Sequence, residues 1–196
     1  DGGKDIMITI RPATIADTGA IVHLEMTIID QMQIPMVEKL GRDNIEQLLH
    51  DSALADDTAR YSHKHATVAE MSGAIVGVAF GYPAKQEPYL DVSLQRLLAD
   101  RFGELAELFP DKETVGQEWY LDSISVSETA RGKGVGTQLL AALPAVAQAQ
   151  GEQVIGLNVD DGNPKARALY EREGFEPVSE LMIGEHHYTH MQRSVE

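Results

Sequence analysis

Apolar positions recur along this chain at two periods. Between Ile15 and Gln31, the residues Ile21, Leu24 and Ile28 fall three and four apart, with Asp17 near the start, which predicts an amphipathic helix. Pro35 interrupts that pattern, and Asn44 to Leu54 reads as a second helix. Met7 to Arg11 is predicted as a short strand. Ala66 to Ala69 and Ala74 to Phe80 are compact apolar runs on either side of Met71-Ser72-Gly73, a hairpin pattern that Tyr82-Pro83 stops. Leu90 to Phe109 reads as a further acidic amphipathic helix, closed by Pro110. Gln117 to Val126 is a central strand. A helix follows from Thr137 to Gln150, and Pro144 inside it predicts a kink or an early break, because proline lacks the N–H that a helix interior uses. After the compact apolar strand Val154 to Val159 and one more helix, Val178 to Ile183 and Tyr188 to Arg193 form a final hairpin around Gly184-Glu185. There are no internal repeats and no low-complexity linker.

The junction between central strand and following helix carries the first chemical signal, Arg131-Gly132-Lys133-Gly134-Val135-Gly136. Glycines there let the backbone approach a ligand and aim successive N–H groups at one spot. The first turn of a helix adds unpaired donors and partial positive charge, so the construction fits a pyrophosphate. Glycine spacing narrows the ligand. No Gly-Lys-Ser or Gly-Lys-Thr occurs, so this is not a Walker loop, and glycines at 132, 134 and 136 do not give a dinucleotide fingerprint. The kinase triplets HRD and DFG are absent as well.

A second block runs from Asn163 to Phe175. Asn163 is suited to cap a helix whose first position is Pro164, where a missing N–H costs nothing. Arg167 and Glu171 are an opposite-charge pair one turn apart. Gly174 is placed for the left-handed residue that ends a helix, so Phe175 can fold back on Tyr170. R-x-x-G-x-G, followed one helix and one strand later by N-x-x-A-x-x-L-Y-x-x-x-G-F, resembles the paired motifs of the GNAT superfamily of acyl-CoA-dependent N-acetyltransferases.

The resemblance extends over most of the chain and implies an α/β (α+β) fold of one domain, residues 1–196. A mixed, mostly antiparallel sheet would be flanked by helices on both faces and splayed between its fourth and fifth strands. It implies acetyl-CoA as co-substrate and a primary amine acceptor that attacks the thioester directly. Coenzyme contacts would come from Ile124, Ser125 and Val126 on the strand, from Arg131, Gly132, Lys133, Gly134, Val135, Gly136 and Thr137 in the loop, and from Asn163, Ala166 and Tyr170. Tyr170 matches the tyrosine that protonates the departing thiolate. The glutamate that histone-type members carry on the central strand matches Tyr120 here, which departs from their pattern. Strand alternation puts Glu118, Tyr120, Asp122, Ile124 and Val126 on one face. Glu118 and, after it, Asp122 are then the candidate bases, each acting through a water. The segment from about 84 to 116 is longer than the minimal pattern and either lids the acceptor site or packs on the surface. A non-catalytic acyl-CoA-binding module of the same fold stays open as the alternative, and a homodimer is possible.

Composition trims these readings. Hydrophobic residues make up 43% of the 196, enough for an ordinary core. With no cysteine there is no disulfide, no thiolate metal site and no acyl-cysteine intermediate. The formal charge of −15 argues against nucleic acid. It makes Arg131, Lys133, Lys165, Arg167 and Arg172 a local basic island for a polyanionic coenzyme, and the acidic remainder favours a cationic acceptor. The longest wholly apolar run, Ala74 to Phe80, is far too short to span a bilayer, and no apolar signal core opens the chain, so no membrane partner and a cytoplasmic location are expected. Asp1 to Ile6 reads like a leader or a remnant ahead of Met7. His186, His187 and His190 lie near Glu185, and His63 lies near His65, but neither set has zinc-type spacing, so no metal is expected. Acceptor determinants are expected in Glu25 to Met36, Leu90 to Phe109 and Gly184 to His190.

Overall fold

A computed structural model describes residues 7–196; Asp1 to Ile6, read above as a leader or remnant, lie outside the described residues. Seven strands form one sheet: β1 (Ile8–Pro12), β2 (Ala66–Met71), β3 (Ala74–Pro83), β4 (Trp119–Val126), β5 (Val154–Asp160), β6 (Glu176–Ile183) and β7 (His186–Ser194). Their order is β1-β2-β3-β4-β5-β7-β6. Every neighbouring pair is antiparallel except β4 and β5. That parallel pair holds register for three residues, Trp119 opposite Ile155 through Leu121 opposite Leu157, and then parts. This is the splay implied by the resemblance.

Helices cover both faces: α1 (Thr18–Met32), α2 (Pro35–Leu40), α3 (Arg42–Ala55), α4 (Val92–Phe102), α5 (Val135–Ala149) and α6 (Pro164–Arg172). Alternate strand residues feed two separate cores. Val78 and Phe80 face α1, α3 and α4, where Ile21, Met26, Ile29, Leu48 and Leu98 are fully enclosed. Ala79, Trp119 and Leu121 face α5 and α6, with Leu139, Leu143 and Met191. The hairpin between β2 and β3 turns through Ser72 and Gly73, both at positive φ (52° and 79°), the two-residue turn whose twist matches paired strands.

Four sequence expectations change. Pro35 does not merely interrupt; it is the first residue of α2, a position that needs no N–H. The helix predicted to reach Phe109 stops at Phe102, where Gly103 takes the left-handed conformation (φ 65°). Leu108 and Phe109 are buried without being helical, so their spacing reflects core contacts. Nor does α5 break at Pro144; it runs unbroken from Val135 to Ala149. Finally, strict alternation along β4 fails. Phe80 pairs with Ser123 and Gly81 with Leu121, so Asp122 is an extra residue in a bulge. Ile124 and Val126 therefore pack on the α5 side with Leu121, while Ser123 and Ser125 turn to α1 with Tyr120.

Candidate active site

The glycine loop sits at the end of β4. Gly132 and Gly134 have φ of 76° and 81°, a region that side chains rarely adopt. Val135 is buried and anchors the turn, while Arg131, Lys133 and Thr137 are exposed. The first hydrogen bond of α5 runs from Gln138 N–H to Gly134 O at 3.0 Å, so the N–H groups of Val135, Gly136 and Thr137 point out past the helix start. A Cβ on Gly136 would lie 3.9 Å from Val126 Cγ2, which shows how closely loop and strand approach. Beyond Leu121 the β5-facing edge of β4 has no ladder partner, leaving backbone groups of Asp122 to Val126 open to the splay.

The second motif flanks that opening. Asn163 Oδ1 accepts from Ala166 N–H at 3.1 Å, capping α6 as its sequence predicts. Gly174 has φ 92° and Phe175 N–H bonds to Tyr170 O at 3.0 Å, so the helix ends as expected. The Tyr170 and Phe175 rings meet edge to face at 6.0 Å. Burial pushes the Tyr170 phenol up to about 12, which keeps it protonated at neutral pH.

A cavity of about 500 Å³ follows the splay. Asp122, Ile124, Asn163, Ala166 and Tyr170 all line it, so five of the predicted residues converge there. Glu118 does not. Its carboxylate is fully buried over Gly156, where a Cβ would come within 1.7 Å of Oε2, and it accepts from Val115 N–H, His190 Nε2 and Gln192 Nε2 at 2.8 to 2.9 Å. Those bonds tie the insertion to β7. Asp122 accepts from Tyr82 Oη (2.9 Å) and Arg60 Nη1 (2.8 Å), both on Oδ2.

Two further carboxyls on the cavity wall, Glu25 of α1 and Glu113 of the insertion, fall in segments expected near the acceptor but are not singled out as site residues by the sequence. Glu25 is 1% exposed and accepts from Ser123 Oγ at 2.7 Å. Burial, reinforced by the charge of Asp122, raises its carboxyl well above the ordinary range. Glu113 accepts from Tyr120 Oη at 2.9 Å. Burial and the same Asp122 charge push it up to about 8. Glu25 had a signal: it lies four residues from both Ile21 and Ile29, an acid on an apolar helix face. Glu113 had none in its neighbourhood.

Arg60 balances part of this charge. It is 4% exposed, gives Nε and Nη2 to Asp91 (3.1 and 2.8 Å) and Nη1 to Asp122, and lies 4.7 Å over the Phe109 ring. A second cavity of about 430 Å³ adjoins the first, and Met32, Phe109, Glu113, Ile183, His186 and Tyr188 line both. Its lining comes from the α1–α2 junction, residues 106–113 and the β6–β7 turn, drawn from all three segments expected to read the acceptor. Asp111 Oδ2 accepts from Gly184 N–H at 2.6 Å and closes the insertion onto that turn.

Known proteins share this fold. The model of the acetyltransferase (GNAT) family matches residues 32–175. A solved acetyltransferase superposes with a TM-score of 0.85 at 43% identity, covering 96% of this chain and all of its own. An N-acetyltransferase from Staphylococcus aureus Mu50 gives 0.86 at 25% identity over 94% of this chain and all of its own. Curated relatives match over shorter stretches, and the chain spans 26% to 61% of their lengths. One of them, an L-methionine sulfoximine/L-methionine sulfone acetyltransferase of Pseudomonas paraeruginosa, is 44% identical over 54 residues, 28% of this chain and 31% of its own length. No helix among the described residues is long and apolar enough to cross a membrane. Its fold, its glycine loop and its match to the family model agree: the chain belongs to the GNAT acetyltransferase family.

Proposed function

We propose that this chain transfers an acetyl group from acetyl-CoA to a primary amine, the two bound together. The observation that carries the reading is the parting of β4 from β5 after Leu121, with Tyr170 on one wall of the opening and the glycine loop at its end. The loop offers N–H groups and the charges of Arg131 and Lys133 to a pyrophosphate. The open edge of β4 at Ile124 and Val126, whose N–H and C=O point away from β3, offers backbone partners to the pantetheine arm.

The reaction needs two proton movements. The amine nitrogen attacks the thioester carbonyl, an N–C bond forms, and the C–S bond breaks with its electron pair going to sulfur. Tyr170 gives its phenolic proton to that sulfur. The amine proton goes to the carboxylates of the opposite wall, where Asp122 has Oδ1 clear of its two hydrogen bonds. Glu118 acts at a distance by holding β7 and the insertion in place. With no cysteine in the chain, direct transfer fits better than a thioester-linked enzyme.

Thermal unfolding with and without acetyl-CoA, followed by thiol release with an amine panel, tests this. Acetyl-CoA at a hundred times its dissociation constant should stabilise the fold by about 2.7 kcal/mol, and thiol should appear only when an amine is present. A thermal shift without any amine-dependent thiol would instead identify an acyl-CoA-binding module, and no shift would remove the reading altogether.

A further inference from the structure

Resting on that reading, we propose that the acceptor is a primary amine with an apolar body and no carboxylate on the carbon that bears the amine. The inner chamber receives the nitrogen. Three carboxyls meet there from distant segments: Glu25 of α1, Asp122 in the β4 bulge and Glu113 of the insertion. Glu25 and Glu113 are 1% and 7% exposed, so what they meet in the cavity is desolvated with them. One donor, Ser123 Oγ at 2.7 Å, attends Glu25, and a carboxylate has room for about four. An ammonium fits the acceptor positions left on these oxygens.

A substrate carboxylate meets no uncommitted basic side chain among the described residues. Among the described residues, Arg60 and His186 are the basic side chains on the walls of the two cavities. Arg60 has Nε and Nη2 on Asp91 and Nη1 on Asp122, with Nη1 also 3.5 Å from Glu113 Oε2. His186 lies between Asp160 (3.2 Å) and Gln33 (3.2 Å). An α-amino acid would bring its carboxylate into a cavity lined by three acids, beside the charge of Asp122 and two carboxyls whose own ionisation burial already opposes. The outer chamber takes the remainder of the molecule. Its walls are Met32, Ile34, Met36, Leu108, Phe109 and Ile183, and the acids Glu107, Asp111 and Glu185 stand among them. That lining suits an aliphatic or aromatic body and repels an anionic one.

Matched acceptors isolate the charge from the shape. Initial rates are measured on the full chain with acetyl-CoA for three series: 2-phenylethylamine, phenylalaninamide and phenylalanine; tyramine, tyrosinamide and tyrosine; 3-(methylthio)propylamine, methioninamide and methionine. The amine and the amide should be acetylated in at least one series, and the parent acid there should fall by about 100-fold or more in kcat/KM. In the best series, Glu25→Gln and Glu113→Gln should each raise KM for the amine at least about tenfold. An amino acid that matches its amine overturns this acceptor class and leaves the acetyltransferase reading standing. Refusal of amide and acid alike makes shape the cause and overturns it too. Transfer to none of the nine, while other primary amines without an apolar body are acetylated, overturns the acceptor class alone; transfer to no amine at all removes both.

Discussion

The two walls of the cleft are built by opposite means. The donor side is exposed and basic, and it works mostly through backbone: glycines at positive φ, a helix start, and an open strand edge. The acceptor side is buried and acidic, and it works through side chains that meet from far apart, as when Ser123 reaches Glu25 98 positions away. A backbone-built site tolerates few sequences, because each turn demands its glycine, so it appears as a contiguous motif. A side-chain-built site can be assembled from any segments the fold brings together, so it can differ between members without disturbing the donor side. In the proposed reading, the wall that names the chemistry is thus separate from the wall that chooses the acceptor.

Damage to the backbone-built wall should have the largest effect. Arg131→Ala combined with Gly134→Asp should abolish the acetyl-CoA-dependent thermal shift, because it removes a cation and sets an anion where φ is 81°. A surviving shift would place the pyrophosphate elsewhere. Tyr170→Phe comes next. Loss of a general acid should lower kcat by about 100-fold or more while acetyl-CoA still binds. Stability should change little, since the ring keeps its contact with Phe175. An unchanged kcat would hand the thiolate's proton to water.

Smaller, and confined to the acceptor wall, is the response to pH. Folding lifts Glu113 from an ordinary value near 4.5 up to about 8, so in that window the folded chain holds a proton that the unfolded chain has released. Stability from this group is full below the window and is lost as pH rises through it. Glu113→Gln should flatten that decline in melting temperature between pH 5 and 8.5. Binding of a cationic amine should respond with the opposite sign, improving as Glu113 ionises. A wild-type profile that the substitution leaves unaltered would remove Glu113 from both roles.

The same contrast decides what the sequence reveals. The glycine loop and the block from Asn163 to Phe175 are local devices, and their caps and turns form as their residues dictate. The strand order and the splay come with the family resemblance, not from any one segment. Asp122 was legible as a cleft acid, but the bulge that inverts the faces of β4 is set by Gly81, where a Cβ would fall 2.0 Å from the Trp119 ring. A partner on another strand creates that constraint, so β4 read alone predicts strict alternation. Glu118 looked like a base because strand position was all that could be read. What engages it is a network of Val115, His190 and Gln192, two of them more than 70 positions away. Glu25 could have been noticed as an acid on an apolar helical face, whereas Glu113 becomes visible once the insertion is folded over the cleft.

Separability of the two walls is most directly tested with Glu25→Gln, a change of one atom on a residue far from the glycine loop in sequence. The acetyl-CoA dissociation constant and the KM of the best amine are measured for the same preparation. The account predicts an acetyl-CoA constant within about twofold of the unmodified chain and an amine KM at least about tenfold higher. An amine KM that does not move, or a loss of acetyl-CoA affinity of equal size, would contradict it.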